Sequence, residues 1–165
     1  MKSEPSKESS WSILPMTESD VEACADLVGR SEFFRKYDFS AERATVLLRQ
    51  ALADPGSDLL VIRRPSGQSG PPRGFAWFIR RGAFQRSGYL RLIAISPDSR
   101  GTGAGKALMT AIESKYLSNR GIFLLVTEGN TAARRFYESL GYGFIGTIPD
   151  FVKRGLNECI YFKAG

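Results

Sequence analysis

Residues 89–108 read YLRLIAISPDSRGTGAGKAL, and this stretch decides the fold. Its first part, Tyr89–Ile95, is short, apolar and β-branched and runs into the turn signal Pro97-Asp98, the pattern of a largely buried strand. From Ala104 the period changes: Ala104, Leu108, Ala111 and Ile112 recur at three- and four-residue intervals, one face of a helix that can pack on a sheet. Between strand and helix stand Gly101, Gly103 and Gly105. Glycine removes Cβ bulk and tolerates left-handed dihedrals, so successive backbone N–H groups at the helix entrance can face an anion such as a diphosphate. Arg100 and Lys106 add positive charge at the rim of that loop.

Two common phosphate loops do not fit. A P-loop needs Gly-x-x-x-x-Gly-Lys-Ser/Thr, but Gly101 lies four positions before Gly105-Lys106, and Ala107 replaces the metal-holding hydroxyl. The dinucleotide fingerprint Gly-x-Gly-x-x-Gly is absent too, and no paired βαβ halves surround the loop.

Outward from this centre, 165 residues at 42% hydrophobic composition support one domain with a core that needs neither metal nor disulfide. The absence of histidine removes zinc-motif ligand sets and histidine-based nucleophilic triads, so no metal site is expected. Cys24 and Cys159 are too few and too far apart for a disulfide framework. The polar opening 1–10 reads as a flexible tail without a signal core. No apolar run approaches the roughly 20 residues of a membrane helix, so a cytoplasmic protein without membrane association is expected. The charge of +6 suits an anionic partner, but the Arg and Lys pairs are scattered without a helix-turn-helix or zinc signature. They read as solvated surface rather than a nucleic-acid face.

Trp11–Leu14 reads as a first strand, and Thr17 caps a helix reaching about Arg30 with Val21, Cys24, Ala25 and Val28 as its apolar stripe. Ser40 caps a second helix that stops at Asp54-Pro55-Gly56. The connector Phe33–Phe39 is unusually aromatic; it either covers a substrate cleft or pins the two helices to the core. Leu59–Ile62 and Gly74–Ile79 are strands, with an exposed turn at Ser66–Pro72 between them. Gly121–Thr127 follows the central helix as a second buried strand, and a connection of that length makes a crossover rather than a hairpin. Ala133, Phe136, Tyr137 and Leu140 share one face of a later helix, capped by Asn130 or Thr131 and ended by Gly141. Tyr142–Ile148 and Cys159–Lys163 are the last strands, joined by a charged loop, Pro149–Asn157. The order implies an α/β fold: a mixed sheet with helices on both faces.

At this point the residues resemble the GCN5-related N-acetyltransferase (GNAT) superfamily, over Trp11 to Lys163. The family's cofactor motif, Arg or Gln followed by two residues, Gly, one residue, and Gly or Ala, is matched by Arg100, Gly103 and Gly105. Its later Asn, Ala and Tyr pattern is matched by Asn130, Ala133 and Tyr137. The resemblance implies a mostly antiparallel sheet with a central, splayed parallel strand pair. It implies acetyl-coenzyme A as cosubstrate: the pantetheine along Ile93, Ala94 and Ile95, the diphosphate in the loop Arg100, Gly101, Thr102, Gly103, Ala104, Gly105 and Lys106, and further contacts at Asn130, Ala133 and Arg134. Asn130 equally well caps its helix.

The implied reaction is direct attack of a neutral primary amine on the thioester, with Tyr137 at the position of the family's usual acid. Related protein acetyltransferases place a Glu base within the fifth strand; Leu125 stands there in this chain, and Glu128 near the strand end is the candidate. Asp150, Glu158 or an already deprotonated amine are alternatives. Neither Cys has a cationic neighbourhood in sequence that would make it an acyl carrier. The acceptor is a small-molecule amine or a peptide amine, a finite pocket favouring the first and an open acidic channel the second. A catalytically silent acyl-coenzyme A-binding module and a homodimer also remain open.

Overall fold

The computed structural model describes residues 11–65, 70–118 and 120–165. The tail 1–10 and part of the turn expected at Ser66–Pro72 lie outside the described residues.

Among the described residues seven strands form one sheet: β1 (Ser12–Pro15), β2 (Ser57–Arg63), β3 (Gly74–Ala83), β4 (Ser87–Ile95), β5 (Ile122–Thr127), β6 (Gly143–Lys153) and β7 (Leu156–Lys163). Their order is β1-β2-β3-β4-β5-β7-β6, and every pairing is antiparallel except β4 with β5. The helices are α1 (Val21–Gly29), α2 (Glu32–Arg35), α3 (Ala41–Ala53), α4 (Ala104–Tyr116) and α5 (Thr131–Ser139).

The alternation of strand residues builds two cores. Ala76, Phe78, Leu90, Leu124 and Tyr161 pack under α4 and α5, while Leu59, Val61, Phe75 and Ala94 pack under α1 and α3. Both faces of the central strands are therefore covered, which is why they read as almost continuous apolar runs. Gly88 lies where β4 meets β5, and a Cβ there would fall 2.1 Å from Phe78 Cζ. Its missing side chain leaves room for Phe78 to stack on Tyr116, with ring centroids 4.6 Å apart.

Most element ends follow local chemistry. Ser40 Oγ accepts from the Arg43 N–H at 3.2 Å and opens α3. Gly141, at φ 87°, closes α5 with the Tyr142 N–H bonded back to the Tyr137 carbonyl at 3.1 Å. Thr17 caps a single 3₁₀ turn, Glu18–Asp20, that leads into α1.

The largest departure from expectation is at the C-terminal end. The stretch Pro149–Asn157 is not a loop: β6 runs on to Lys153 and turns through Arg154 and Gly155 into β7. The apolar pattern missed this because β6 is an edge strand with a wide irregularity opposite Asn157, where Pro149 and the left-handed Asp150 are accommodated. No helix of the described residues is long and apolar enough to cross a membrane.

Candidate active site

The site begins with one extra residue. Along β3 and β4, Trp77 faces Leu92 and Phe78 faces Leu90, so Arg91 is unmatched and forms a bulge. The bulge resets the alternation: Leu90 faces the α4 and α5 side, whereas Leu92, two residues on, faces α1 and α3. Pairing with β5 ends at the same place, since only Gly88–Ile122, Tyr89–Phe123 and Leu90–Leu124 are in register. Beyond them β4 and β5 part, leaving two strand edges without a strand partner between them. This is the splayed parallel pair.

A cavity of about 240 Å³ occupies the parting and is lined from both faces of the sheet. From the α4 and α5 side come Ile93, Asn130, Ala133 and Tyr137; from the other come Phe34, Tyr37, Arg43, Arg91, Leu125 and Glu158. Two chambers thus communicate through the sheet.

On the first side, α4 enters through Gly101 (φ 72°) and Gly103 (φ 88°). A Cβ built at either would meet no protein atom within 4 Å, so the space over the helix entrance is open. At Gly105 a Cβ would come 3.2 Å from Phe136 Cζ, so that glycine serves the packing of α5 on α4. The backbone of the loop is held from outside: the Thr102 carbonyl accepts from Trp11 Nε1 at 3.3 Å and its hydroxyl donates to the Ser99 carbonyl. Arg100 and Lys106 are exposed beside the entrance, and Ala104 is buried beneath it. Open amides, a helix of 13 residues and two adjacent cations fit a diphosphate.

The remaining candidates divide. Ile93 and Ile95 belong to the same core as α4, and Ile93 lines the cavity. Ala94 faces the opposite core, so only its backbone lies along the parting. Asn130 Oδ1 accepts from the Ala133 N–H at 3.2 Å as the cap of α5, while the residue also lines the cavity. Arg134 is committed elsewhere: its Nε donates to the Tyr161 hydroxyl at 3.0 Å and its guanidinium lies 5.9 Å over Phe144. Tyr137 is 6% exposed, lines the cavity, and has no hydrogen-bond partner for its hydroxyl among the described residues. Burial raises its pKa well above the usual phenol value, so it stays protonated.

Glu128 and Glu158 fall differently. Glu128 is exposed outside the cavity, with Oε2 accepting from Asn157 Nδ2 at 3.0 Å. Glu158 lines the cavity and is 4% exposed. Its place follows from register: Glu158 pairs with Thr127 and sits next to Cys159, whose side chain takes the opposite face. The aromatic connector covers it. Tyr37 donates its hydroxyl to the Glu158 carboxylate and also contacts the Thr127 hydroxyl. Burial raises the Glu158 pKa above the ordinary carboxylate value, partly countered by the Tyr37 hydrogen bond. Burial and Glu158 together push Tyr37 up to about 12. A second tie holds the connector down, as Lys153 Nζ donates to Asp38 at 2.6 Å and to the Lys36 carbonyl at 2.8 Å.

Among the described residues no group of three or more Cys, Asp or Glu is placed to hold a metal ion. Cys24 and Cys159 are both buried and free, and burial pushes the Cys24 thiol up to about 12, so Cys24 is not a ready nucleophile.

The chain belongs to the acetyltransferase (GNAT) family, whose sequence profile matches residues 22–142. It is 45% identical over 58 residues to the mycothiol acetyltransferase of Thermobispora bispora, a match covering 33% of this chain and 19% of that protein. To the mycothiol acetyltransferase of Salinispora arenicola it is 39% identical over 101 residues, covering 58% of this chain and 33% of that one. The matches thus span a third or less of those relatives' length. An acetyltransferase from Thermus thermophilus has the same fold, with a TM-score of 0.75 at 18% identity over 93% of this chain and 96% of its own.

Proposed function

We propose that this protein is an acetyl-coenzyme A-dependent N-acetyltransferase that acetylates a small primary amine by direct attack. The observation that carries this reading is the cavity passing through the sheet at the parting of β4 and β5, with Tyr137 on one side and Glu158 on the other.

Acetyl-coenzyme A supplies the activated acetyl thioester. The amides of Gly101–Gly105 and the α4 entrance bind its diphosphate, and the unpaired β4 edge around Ile93 and Ile95 offers extended backbone groups to the pantetheine arm. Glu158, rather than the exposed Glu128, receives the proton of the incoming ammonium, since its raised pKa brings a carboxylate closer to that of its task. The amine nitrogen then bonds to the acetyl carbon as the carbon–sulfur bond breaks; the second proton that the nitrogen sheds ends on the coenzyme A sulfur, and Glu158 releases the first to solvent. Tyr137 donates a hydrogen bond to the departing sulfur. A thiol titrates near 8.5, below the raised Tyr137, so stabilisation of the thiolate rather than complete proton delivery is the main contribution of the phenol.

A finite cavity closed by Tyr37 and by the Lys153–Asp38 pair favours a small acceptor over a long peptide. The test is an amine panel recording both thiol release and product mass. Amine-dependent release with an acetylated amine product supports the reading; tight acetyl-coenzyme A binding without any release identifies a silent binding module instead.

A further inference from the structure

Arg43, from the first turn of α3, lies 5.9 Å over the Phe39 ring, and Arg91, the bulge residue, lies 5.7 Å over Trp77. Both line the cavity, and neither forms an ion pair with a carboxylate among the described residues. Trp77 packs in the α1 and α3 core, so Arg91 lies on the side of the sheet away from the α4 entrance that suits the diphosphate. These two guanidinium groups are therefore available to the acceptor rather than to the phosphates.

Among the described residues, the charged ones lining the cavity are Arg43, Arg91 and Glu158. A chamber for a polyamine would carry several carboxylates and no cation, because like charges exclude a ligand as effectively as opposite ones attract it. Among the described residues this cavity is lined by two cations and one carboxylate. Phe33, Phe34 and Leu47 add an apolar stretch of wall. Arg43, Arg91 and Glu158 all line this one cavity of about 240 Å³, and Tyr89, which lines it too, lies within electrostatic reach of both Arg91 and Glu158.

We propose that the acceptor is an α-amino acid with an apolar side chain. Its ammonium sits at Glu158, its carboxylate is received by Arg91 and Arg43, and its side chain lies against the aromatic connector. A guanidinium held over an aromatic ring presents its N–H edge in the fork that matches a carboxylate. The transfer is the one described above, so the products are the N-acetyl amino acid and free coenzyme A. This inference rests on the transferase reading.

The test compares kcat/KM for phenylalanine, leucine and methionine with phenylalaninamide, phenethylamine and spermidine, by thiol release and product mass. Phenylalanine is expected to exceed phenylalaninamide by about tenfold or more, the worth of one charge-assisted hydrogen bond, with spermidine lower still. Arg43→Gln and Arg91→Gln should each lower the ratio of phenylalanine to phenylalaninamide by about tenfold. An amide, simple amine or polyamine used as well as the amino acid overturns the inference and leaves the transferase standing. So does a ratio unmoved in folded Arg variants. Absence of thiol release with every amine at saturating acetyl-coenzyme A rejects both.

Discussion

The Tyr37 hydroxyl donates to the Glu158 carboxylate across a separation of 121 residues in sequence. This contact closes the aromatic connector over the cavity and partly offsets the rise in proton affinity that burial gives Glu158.

Glu158→Gln should lower kcat/KM about a hundredfold or more, the usual range for a lost general base. In the native protein the acidic limb of the pH–rate profile should lie above the ordinary carboxylate range, because burial raises the folded-state pKa. The same shift fixes the sign for stability. A raised carboxylate pKa stabilises the fold most below its unfolded value and loses that contribution as pH rises through the folded value. Glu158→Gln should therefore melt no lower than native protein at pH 8, while the native protein gains relative to it on acidification. A full-rate variant would remove Glu158 from the mechanism.

Tyr37→Phe deletes a hydrogen bond that favours the ionised carboxylate. Its acidic limb should move to higher pH, with activity recovering in alkaline buffer. A limb that stays in place would show that Tyr37 does not tune Glu158. Steady-state profiles of the two proteins decide this.

Tyr137→Phe should reduce kcat by about tenfold to a hundredfold, of the order of one preorganised donor, and leave acetyl-coenzyme A affinity by calorimetry within about twofold, since the phenol contributes to the departing sulfur rather than to the ground state. Equal losses in binding and turnover would instead mark the ring as packing.

Gly88→Ala should destabilise the fold by about 1–3 kcal/mol, the common cost of overpacking, because its Cβ would fall 2.1 Å from Phe78 Cζ. Thermal melting measures it; an unchanged melting temperature would contradict the packing described between Gly88, Phe78 and Tyr116.

How much of this was legible in the sequence divides by range. The glycine loop, the α4 stripe, the Asn130 cap and the Gly141 stop are written within a few residues of where they act, so periodicity and turn chemistry found them. The crossover length implied that β4 and β5 do not form a hairpin. The Arg91 bulge left no local signal, because it exists only as a mismatch between two strands. Glu158 stands in the sequence only as one of several alternative bases for the same reason: its face follows from pairing with Thr127, and its cover comes from Tyr37 far upstream. Glu128 was the nearer candidate by position along the strand, yet one residue beyond Thr127 the chain leaves β5 and carries that side chain to Asn157.

The central claim is that one cavity crosses the sheet where β4 and β5 part, with the cosubstrate on the α4 side. A crystal structure with coenzyme A tests it most directly. We expect the diphosphate on the amides of Gly101–Gly105 and the sulfur in the parting, within hydrogen-bond reach of the Tyr137 hydroxyl. Coenzyme A seated elsewhere, or strands zipped together beyond Leu90 and Leu124 in the complex, would contradict it.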